Sequence, residues 1–184
     1  ILESIQRKTR CVVEVMLTTA DEALASRLEP TESTVGERLE LLRALRDAGI
    51  PTVVTLGPVL PYLTDSLENL EALLGDCVEA RVYGVIQNGF GVTLRAGSSA
   101  YFFSCLRELD PELPEKYEAL LPPGKPRKAG MFLSPNAAAL ADFFQKSTAA
   151  CRLVTDQEAL FAYRHAFLDR RAGQQLSLFD LFET

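Results

Sequence analysis

The sequence predicts an α/β protein built on a parallel sheet, and two observations favour this class. Three short runs rich in β-branched residues, at 11–17, 52–56 and 80–86, alternate with amphipathic segments that have the helical period. Strands separated by helices of this length pair in parallel through crossover connections. We therefore expect a three-stranded parallel layer, followed by a helical C-terminal region.

The first half of this layer has clear local signals. The run 11–17 predicts a strand that ends at Thr18-Thr19, and residues 21–28 predict a short helix or turn closed by Pro30. Thr34 and Glu37 form a capping box that begins the next helix, and Gly49 ends it. The apolar stripe of that helix consists of Leu39, Leu42 and Leu45.

The second half repeats the pattern. Prolines bracket the strand 52–56, and the segment 65–68 begins a helix that should end at Gly75. We expect Leu67, Leu70 and Leu74 to face inward from this helix. The third strand is predicted at 80–86, with Cys77 near its start.

The pattern changes after Asn88. Residues 89–95 predict a glycine-containing loop, and 122–130 is the most linker-like stretch in the chain. Ser134 before Pro135 predicts an N-cap. The remaining helices are predicted at 100–109, at 115–121, from Pro135 to about 150, and from a capping box at 155–158 to about 168. This organisation divides the chain into residues 1–98, an α/β layer of about three strands; 99–173, a helical extension; and 174–184, a tail.

Composition and charge exclude several classes of protein. No run of eighteen apolar residues is present, and the first residues have no apolar core of the signal-peptide type, so we expect a cytoplasmic protein. The net charge of −6 argues against a surface that binds nucleic acid everywhere. Residues 121–175, however, hold eight Lys or Arg against four Asp or Glu. This basic region is either a solvated helical surface or a surface that lies against phosphates.

The cysteines and the histidine predict no metal site. The spacings of Cys11, Cys77, Cys105 and Cys151 match no paired metal motif, so we expect buried free thiols. His165 is the sole histidine, which excludes a His-rich site and leaves little scope for a Ser-His-Asp triad. No phosphate-binding loop, dinucleotide fingerprint or HExxH motif occurs.

Polar side chains near the ends of the predicted strands are the better candidates for a ligand site. In parallel α/β layers, the loops after the strands hold the ligands. Threonines there can hydrogen-bond a ligand, and an arginine can hold a carboxylate or phosphate through its fork of donors. Each also has a purely structural interpretation, as a strand cap or an internal ion pair. The candidates are Glu14, Thr18, Thr19, Asp65, Thr93 and Arg95.

Several short blocks in order along the chain resemble one family. They are 17–22 (LTTADE), 27–30 (RLEP), 58–61 (PVLP) with Asp65, 68–69 (EN), 90–95 (FGVTLR), 134–137 (SPNA) and 175–179 (QLSLF). In this order they are similar to the radical S-adenosylmethionine proteins related to spore photoproduct lyase, a DNA repair photolyase-like family. The resemblance runs from about residue 10 to the end.

The resemblance implies a partial (β/α)6 TIM-like barrel that binds a [4Fe-4S] cluster and S-adenosylmethionine. The family's cluster cysteines lie in a CxxxCxxC loop after the first barrel strand, and a cofactor-binding lysine comes from the third strand; this chain has neither. It would therefore be the C-terminal portion of the barrel, inactive alone and without a bound cofactor. The resemblance assigns cofactor contacts to Glu14, Met16, Thr18, Thr19, Pro58 and Pro61, and substrate-side positions to Asp65, Thr93 and Arg95. No residue is assigned to catalysis.

The family pattern is not complete. Relatives often have a small polar residue where Met16 stands, and the segment before Ser134 commonly contains tyrosine and cysteine, whereas here it reads GMFL at 130–133. If that segment supplies substrate or radical-relay groups in the family, this chain has lost them or does something else.

The tail suggests a partner. Gln175, Leu176, Leu178 and Phe179 form a short peptide similar to the motif by which bacterial repair proteins bind the sliding clamp. The alternative is a tail that packs on its own barrel.

Two functions are consistent with these observations. The leading hypothesis is the C-terminal half of a radical S-adenosylmethionine enzyme that acts in DNA repair or nucleic-acid modification. The alternative is a non-enzymatic module that docks on DNA or the sliding clamp. Because both flanking strands of three would expose unpaired edges, we also expect either missing upstream strands or a homodimer formed through a sheet edge.

Overall fold

Three parallel strands in the order β1-β2-β3 form the central sheet. The computed structural model of the chain describes residues 1–95, 97–121 and 130–162, without the side chain of Phe161. Over these residues the helices are α1 Leu2–Lys8, α2 Glu22–Leu28, α3 Val35–Asp47, α4 Leu67–Glu79, α5 Ser99–Leu109, α6 Leu113–Ala119, α7 Ala137–Ala150 and α8 Gln157–Ala162. The strands are β1 Val13–Leu17, β2 Thr52–Leu56, β3 Gly84–Gln87, β4 Gly91–Leu94 and β5 Gly130–Leu133.

The parallel sheet confirms the predicted mixed α/β class. Val13 pairs with Thr52 and Val53 pairs with Gly84, both in parallel register. The connections between these strands carry α3 and α4, as the alternation of strand and helix patterns predicted. The structure contains no closed barrel among the residues it describes.

The first helices begin where the sequence places them. The carboxylate of Asp21 accepts hydrogen bonds from the amides of Ala23 and Leu24 and caps α2. The predicted capping box of α3 is confirmed, since Thr34 Oγ1 accepts from the Glu37 amide at 3.1 Å and Glu37 Oε2 accepts from the Thr34 amide at 2.9 Å. These two hydrogen bonds satisfy main-chain amides at the start of the helix, which have no carbonyl acceptor within the helix itself.

Helix α4 is longer than predicted. It passes through Gly75 and ends at Glu79, because Leu73, Leu74 and Cys77 continue its buried face. Cys77 is therefore a helix residue, and the prediction that it lies at the start of a strand is wrong. The third strand is correspondingly shorter than the predicted 80–86. Leu67, expected to face inward, is 42% exposed, whereas Leu70 and Leu74 are buried as predicted.

A second, two-stranded sheet replaces the predicted loop at 89–95. β4 pairs antiparallel with β5, and Gly91 lies opposite Leu133. The close approach explains the glycine, because a Cβ on Gly91 would lie 2.4 Å from the carbonyl oxygen of Phe132. The partner strand lies about forty residues away along the chain, so no local sequence pattern could predict the pairing.

The last two helices begin later than predicted. Asn136, not Ser134, is the N-cap of α7, and Ser134 Oγ instead accepts a hydrogen bond from the Asn136 amide at 2.9 Å. In α8 the capping carboxylate belongs to Asp156, which accepts from the Ala159 amide at 2.7 Å. The predicted continuation of this helix to about residue 168 lies outside the described residues.

Apolar side chains pack on both faces of the parallel sheet. On one face, Val15, Leu17, Val54 and Val85 pack with apolar residues of α3, α4 and α7 to form the main core. On the opposite face, Val53 and Ile86 pack with Leu160 of α8. A separate cluster joins the β4-β5 sheet to α5 and α6 through Leu94, Leu106, Leu113, Tyr117 and Phe132.

The two edges of the parallel sheet differ. At the β3 edge the Val85 amide donates to the carbonyl of Val154 at 2.9 Å, so the prediction of an unpaired edge is wrong there. The β1 edge has no strand beside it in the described part of the chain.

The cysteines are free thiols with very different exposure. Cys77 is fully buried, and burial raises the pKa of its thiol to about 12. Cys11 and Cys105 are half-buried, and Cys151 is exposed, so the prediction of buried thiols is wrong for Cys151. No described helix is long and apolar enough to cross a bilayer.

Candidate functional site

The loops that follow β1 and β2 meet at one end of the parallel sheet. Thr18 follows β1, and Gly57 and Pro58 follow β2. The Gly57 amide donates to the carbonyl of Leu17 at 2.9 Å, which holds the two loops side by side. Since all three strands run in the same direction, this end is the carboxyl end of the sheet, where ligand sites occur in α/β proteins.

A hydrogen-bonded chain of three side chains shapes one side of this end. Thr18 Oγ1 donates to Glu29 Oε1 at 2.6 Å, and Arg38 Nη2 lies 2.6 Å from Glu29 Oε2. Arg38 Nη1 also donates to the main-chain carbonyl of Met16 at 3.1 Å. Both oxygens of the Glu29 carboxylate are thus engaged, and the loop after α2 is fixed against the end of β1. We call Thr18, Glu29 and Arg38 the mouth triad.

A cavity of about 630 Å³ opens beside the mouth triad. Thr18 and Glu29 form one side of it, and Pro58 and Leu60 of the loop after β2 form another. Helix α5 closes it with a row of side chains that includes Tyr101, Phe102 and Glu108. The volume lies within the usual range for small-molecule sites.

The lining of this cavity carries charges of both signs. Glu29 and Glu108 contribute two carboxylates, while Arg27 contributes a guanidinium that donates to the carbonyl of Leu109 at 3.3 Å. Tyr101 is 74% exposed, and a hydrogen bond with Cys105 raises the pKa of its phenol. An exposed aromatic ring beside a carboxylate suits a planar ring that carries hydrogen-bond donors.

Glu14 and Met16 lie on the face of β1 that turns away from α3 and α4. Glu14 Oε1 accepts a hydrogen bond from Thr55 Oγ1 of the neighbouring strand at 2.5 Å. Met16 is 49% exposed. Both residues border a shallow cleft of about 560 Å³, which also touches Glu29 and Arg38 of the mouth triad.

Three of the predicted site residues are buried, namely Thr19, Pro61 and Asp65. Thr19 is buried and donates to Asn69 Oδ1 at 2.9 Å, which ties the loop after β1 to α4. Asp65 is also buried, and its Oδ2 accepts from Ser134 Oγ at 2.5 Å. Pro61 is buried in the same loop. These three residues therefore position the loops.

Thr93 and Arg95 are not at the end of a parallel strand. Thr93 lies on β4, and Arg95 lies just after it, so both belong to the antiparallel sheet. The neighbouring Val92 lines the cavity, and alternate residues of a strand point to opposite faces, so Thr93 faces away from the cavity. Their expected position in the mouth of a parallel barrel is therefore wrong.

Sequence reasoning missed the residues that reach this end of the sheet from helices. Arg38 lies in the first turn of α3, and Tyr101 and Glu108 lie on a helix that the sequence placed outside the barrel. Glu29 belongs to the block RLEP at 27–30, which carried part of the family resemblance. That block was the sequence signal from which Glu29 could have been proposed as a site residue.

The remaining predicted positions lie outside the described residues. These are the tail residues Gln175, Leu176, Leu178 and Phe179, together with His165 and most of the basic side chains of 121–175.

Within the described ranges, no group of three or more His, Cys, Asp or Glu side chains is placed to hold a metal ion. Cys11 precedes β1, Cys77 lies in α4, Cys105 in α5 and Cys151 after α7, so the thiols belong to separate elements. The residues described do not fit a [4Fe-4S] cluster.

Comparisons with known proteins relate the chain to longer proteins without an assigned activity. No family model matches the chain, and no solved structure matches it. Uncharacterized proteins of Mycobacterium bovis and of two strains of Mycobacterium tuberculosis are each 38% identical to it over 124 residues. The match covers 67% of this chain and 34% of each relative, so the chain matches about a third of the length of these relatives.

Proposed function

We propose that this chain is one wall of a partial (β/α)6 barrel in a radical S-adenosylmethionine enzyme similar to spore photoproduct lyase. The observation that carries the proposal is the meeting of Thr18 and Pro58 at one cavity. These residues follow two different strands, and both were assigned to the cofactor from the sequence blocks. The substrate class, a nucleic acid or a damaged base, rests on the family resemblance.

The residues on the sheet fit S-adenosylmethionine as a ligand. A ribose offers hydroxyl donors, and the exposed Glu14 carboxylate on the open face of β1 is an acceptor that Thr55 already orients. Glu108 adds a carboxylate to the cavity lining, and a carboxylate suits a sulfonium cation better than a phosphate. When bound, this cofactor supplies the radical chemistry; Glu14 and Thr18 would bind and orient it.

The four cysteines of this chain lie in or near different elements of the fold, so they do not fit a [4Fe-4S] cluster. We therefore place the cluster on another part of the longer protein and assign no step of the reaction to this chain. The proposal predicts that the 184-residue chain alone has neither cluster nor activity.

Anaerobic iron-sulfur reconstitution tests the proposal on the full-length gene product and on this chain in parallel. We expect iron, sulfide and 5′-deoxyadenosine formation in the long form, and none of the three in this chain. A long form that takes up no iron and produces no 5′-deoxyadenosine would overturn the proposal.

Variants of the long form test the site itself. Glu14→Gln keeps the shape of the side chain but removes its charge, and we expect KM for S-adenosylmethionine to rise about tenfold, the equivalent of one charge-assisted hydrogen bond. Glu40→Gln on the exposed side of α3 is the matched control and should leave KM unchanged. Equal KM values for the two variants would remove Glu14 from the site.

The tail motif favours a second activity that is compatible with the first. Gln175, Leu178 and Phe179 would dock the protein on the bacterial sliding clamp. Fluorescence anisotropy with labelled chain should detect binding to the clamp at micromolar concentration, and the double variant Leu178→Ala, Phe179→Ala should lose it. Binding by neither form, or equally by both, would contradict the docking activity.

A further inference from the structure

We propose that helix α2 is a flap over the cavity of about 630 Å³, latched to α5 by Arg27, and that its opening admits the ligand. The flap consists of Glu22–Leu28, which follows β1 and forms one wall of the cavity together with the turn after it. Access to the cavity is a separate property from the identity of its ligand, so the flap does not depend on the proposed cofactor.

The flap has no buried side chain. Helices α3 and α4, which also connect strands of the sheet, bury three and four residues, whereas α2 buries none. From Asp21 to Thr34 no residue is buried, although Leu24 and Leu28 are half-buried. Because apolar burial is the main source of local stability, α2 can move away from the rest of the chain at little cost.

Polar contacts hold the two ends of the flap. At its start, the Glu22 carboxylate accepts hydrogen bonds from the amides of Val35 and Gly36 at 3.3 and 3.2 Å, in the first turn of α3. Just past its end, Glu29 is held by the other two members of the mouth triad. These contacts lie at the hinges of the flap, so they can persist while the middle of α2 moves.

Arg27 connects the flap to the opposite wall of the cavity. Its Nη2 donates to the carbonyl of Leu109 at 3.3 Å, across a separation of 82 residues along the chain. Leu109 is the last residue of α5, and the last carbonyls of a helix have no partner within the helix and attract cations. The hydrogen bond is long and lies at the surface, so it is weak enough to break and form again.

The walls of the cavity opposite the flap belong to the packed parts of the fold. Leu60 of the loop after β2 and Leu106 of α5 both line the cavity and are 6% and 1% exposed. Leu106 also belongs to the apolar cluster that joins α5 to the β4-β5 sheet. On the flap side, Ser26 and Arg27 line the cavity and are exposed. Movement of α2 therefore widens the cavity without disturbing the core.

Cys105 provides a natural reporter of access to the cavity. Its half-buried thiol lines the cavity on the α5 side, whereas Cys151 is exposed, lies after α7 and serves as the reference thiol. The reduced chain is labelled with N-phenylmaleimide, and peptide mass spectrometry gives the labelling rate of each thiol separately. The rate at Cys105 should depend on how often the flap opens, and the rate at the reference thiol should not.

Two variants loosen the flap by different routes. Arg27→Met removes the latch, whereas Ala25→Gly weakens the helix and leaves the latch in place. Each should raise the labelling rate of Cys105, relative to the reference thiol, about three- to tenfold. Arg107→Met removes the same charge from the exposed side of α5, and Ala44→Gly weakens α3 at an exposed position. These two matched controls should leave the relative rate unchanged.

Hydrogen exchange measured by NMR separates movement of the flap from a change of shape at position 27. In the natural chain, the amides of residues 25–29 should exchange about a hundredfold or more faster than the amide of Leu42 in α3. Both flap variants should speed this exchange further and leave that of Leu42 unchanged. Flap amides as well protected as Leu42, or a labelling rate of Cys105 that neither variant changes, would overturn the proposal. Neither measurement involves S-adenosylmethionine, so each result is independent of the test of the proposed function.

Discussion

The Thr18 hydroxyl donates a 2.6 Å hydrogen bond to a carboxylate oxygen of Glu29, eleven residues further along the chain. The same carboxylate pairs with Arg38 of α3 through its other oxygen at 2.6 Å. One acidic side chain thus connects the end of β1, the loop after α2 and the first turn of α3. Because Thr18 and Glu29 also line the cavity, the residues that hold this loop in place are the ones that a ligand would meet.

Removing the Thr18 hydroxyl should therefore cost stability. Thr18→Val keeps the shape of the side chain but leaves Glu29 without one of its two hydrogen bonds, and we expect a loss of about 1.5–3 kcal/mol in the free energy of unfolding. Urea unfolding of the single variants Thr18→Val and Glu29→Gln and of the double variant gives their coupling energy. Thr18→Ser keeps the hydroxyl and serves as the control. A coupling energy near zero would mean that the hydrogen bond contributes nothing to the fold.

Gly84 predicts a second measurable effect. A Cβ at this position would lie 2.3 Å from a methyl carbon of Leu160 and 2.4 Å from the carbonyl oxygen of Val154. Gly84→Ala should accordingly push α8 and the Val154 segment off the sheet, at a cost of about 1–3 kcal/mol. Gly75 of α4 provides the matched control, because its Cβ would meet nothing within 4 Å. Gly75→Ala should raise stability by about 0.5–1 kcal/mol, as expected inside a helix. Thermal unfolding of the two variants would contradict this account if they changed stability in the same direction.

Some parts of the fold and of the candidate site were predictable from the sequence, and others were not. The strand Thr52–Leu56 and the capping box at Thr34 were predictable, because a β-branched run between prolines and a Thr-x-x-Glu spacing are local signals. The β4-β5 sheet and the contact of Val154 with Val85 were not, since each joins segments tens of residues apart through main-chain groups that every residue has. The candidate site divides in the same way. Thr18 was proposed from its place after a strand and Pro58 from the family resemblance, whereas Arg38 and Tyr101 reach the site from helices.

The Tyr117 hydroxyl has no hydrogen-bond partner among the residues that the structure describes. Its ring packs against Phe102 and Phe132, with centroids 5.5 and 5.8 Å away, and its hydroxyl is buried. Burial raises the pKa of this phenol, with smaller contributions from Asp65 and Tyr62. Tyr117→Phe keeps the ring contacts and removes the unpaired hydroxyl, so we expect stability to rise by about 1 kcal/mol.

The control for this prediction is Tyr117→Leu, which removes the ring contacts as well and should lower stability by about 1–3 kcal/mol. Denaturant unfolding of both variants separates the ring from the hydroxyl. A loss of stability in Tyr117→Phe would indicate that the hydroxyl has a hydrogen-bond partner, such as a bound ligand or an ordered water molecule.

Asp76 gives a prediction about pH. It lies in the last turn of α4, where the partial negative charge of the helix end and the nearby Glu79 both oppose a carboxylate. Its partial burial raises the pKa of the carboxyl group above the ordinary value of 3.8, and Glu79 adds to the rise. The folded state therefore holds this proton to a higher pH than the unfolded state does. Below pH 3.8, Asp76 is protonated in both the folded and the unfolded state and does not affect stability. As pH rises through the raised pKa, the carboxyl group ionises more easily in the unfolded state, so the free energy of unfolding falls.

Asp76→Asn removes this cost, so its advantage over the natural chain should appear between acid and neutral pH. We expect the two proteins to have similar melting temperatures near pH 3, and the variant to be more stable at pH 7 by about 0.3–1 kcal/mol, the usual effect of a charge at the wrong end of a helix. Glu71→Gln, on the exposed side of the same helix, is the control and should show a smaller and flatter difference. Melting curves of the natural chain and of Asp76→Asn at pH 3, 5 and 7 test this prediction. A stability difference that is equal at all three pH values would come from packing or helix propensity and not from the charge of Asp76.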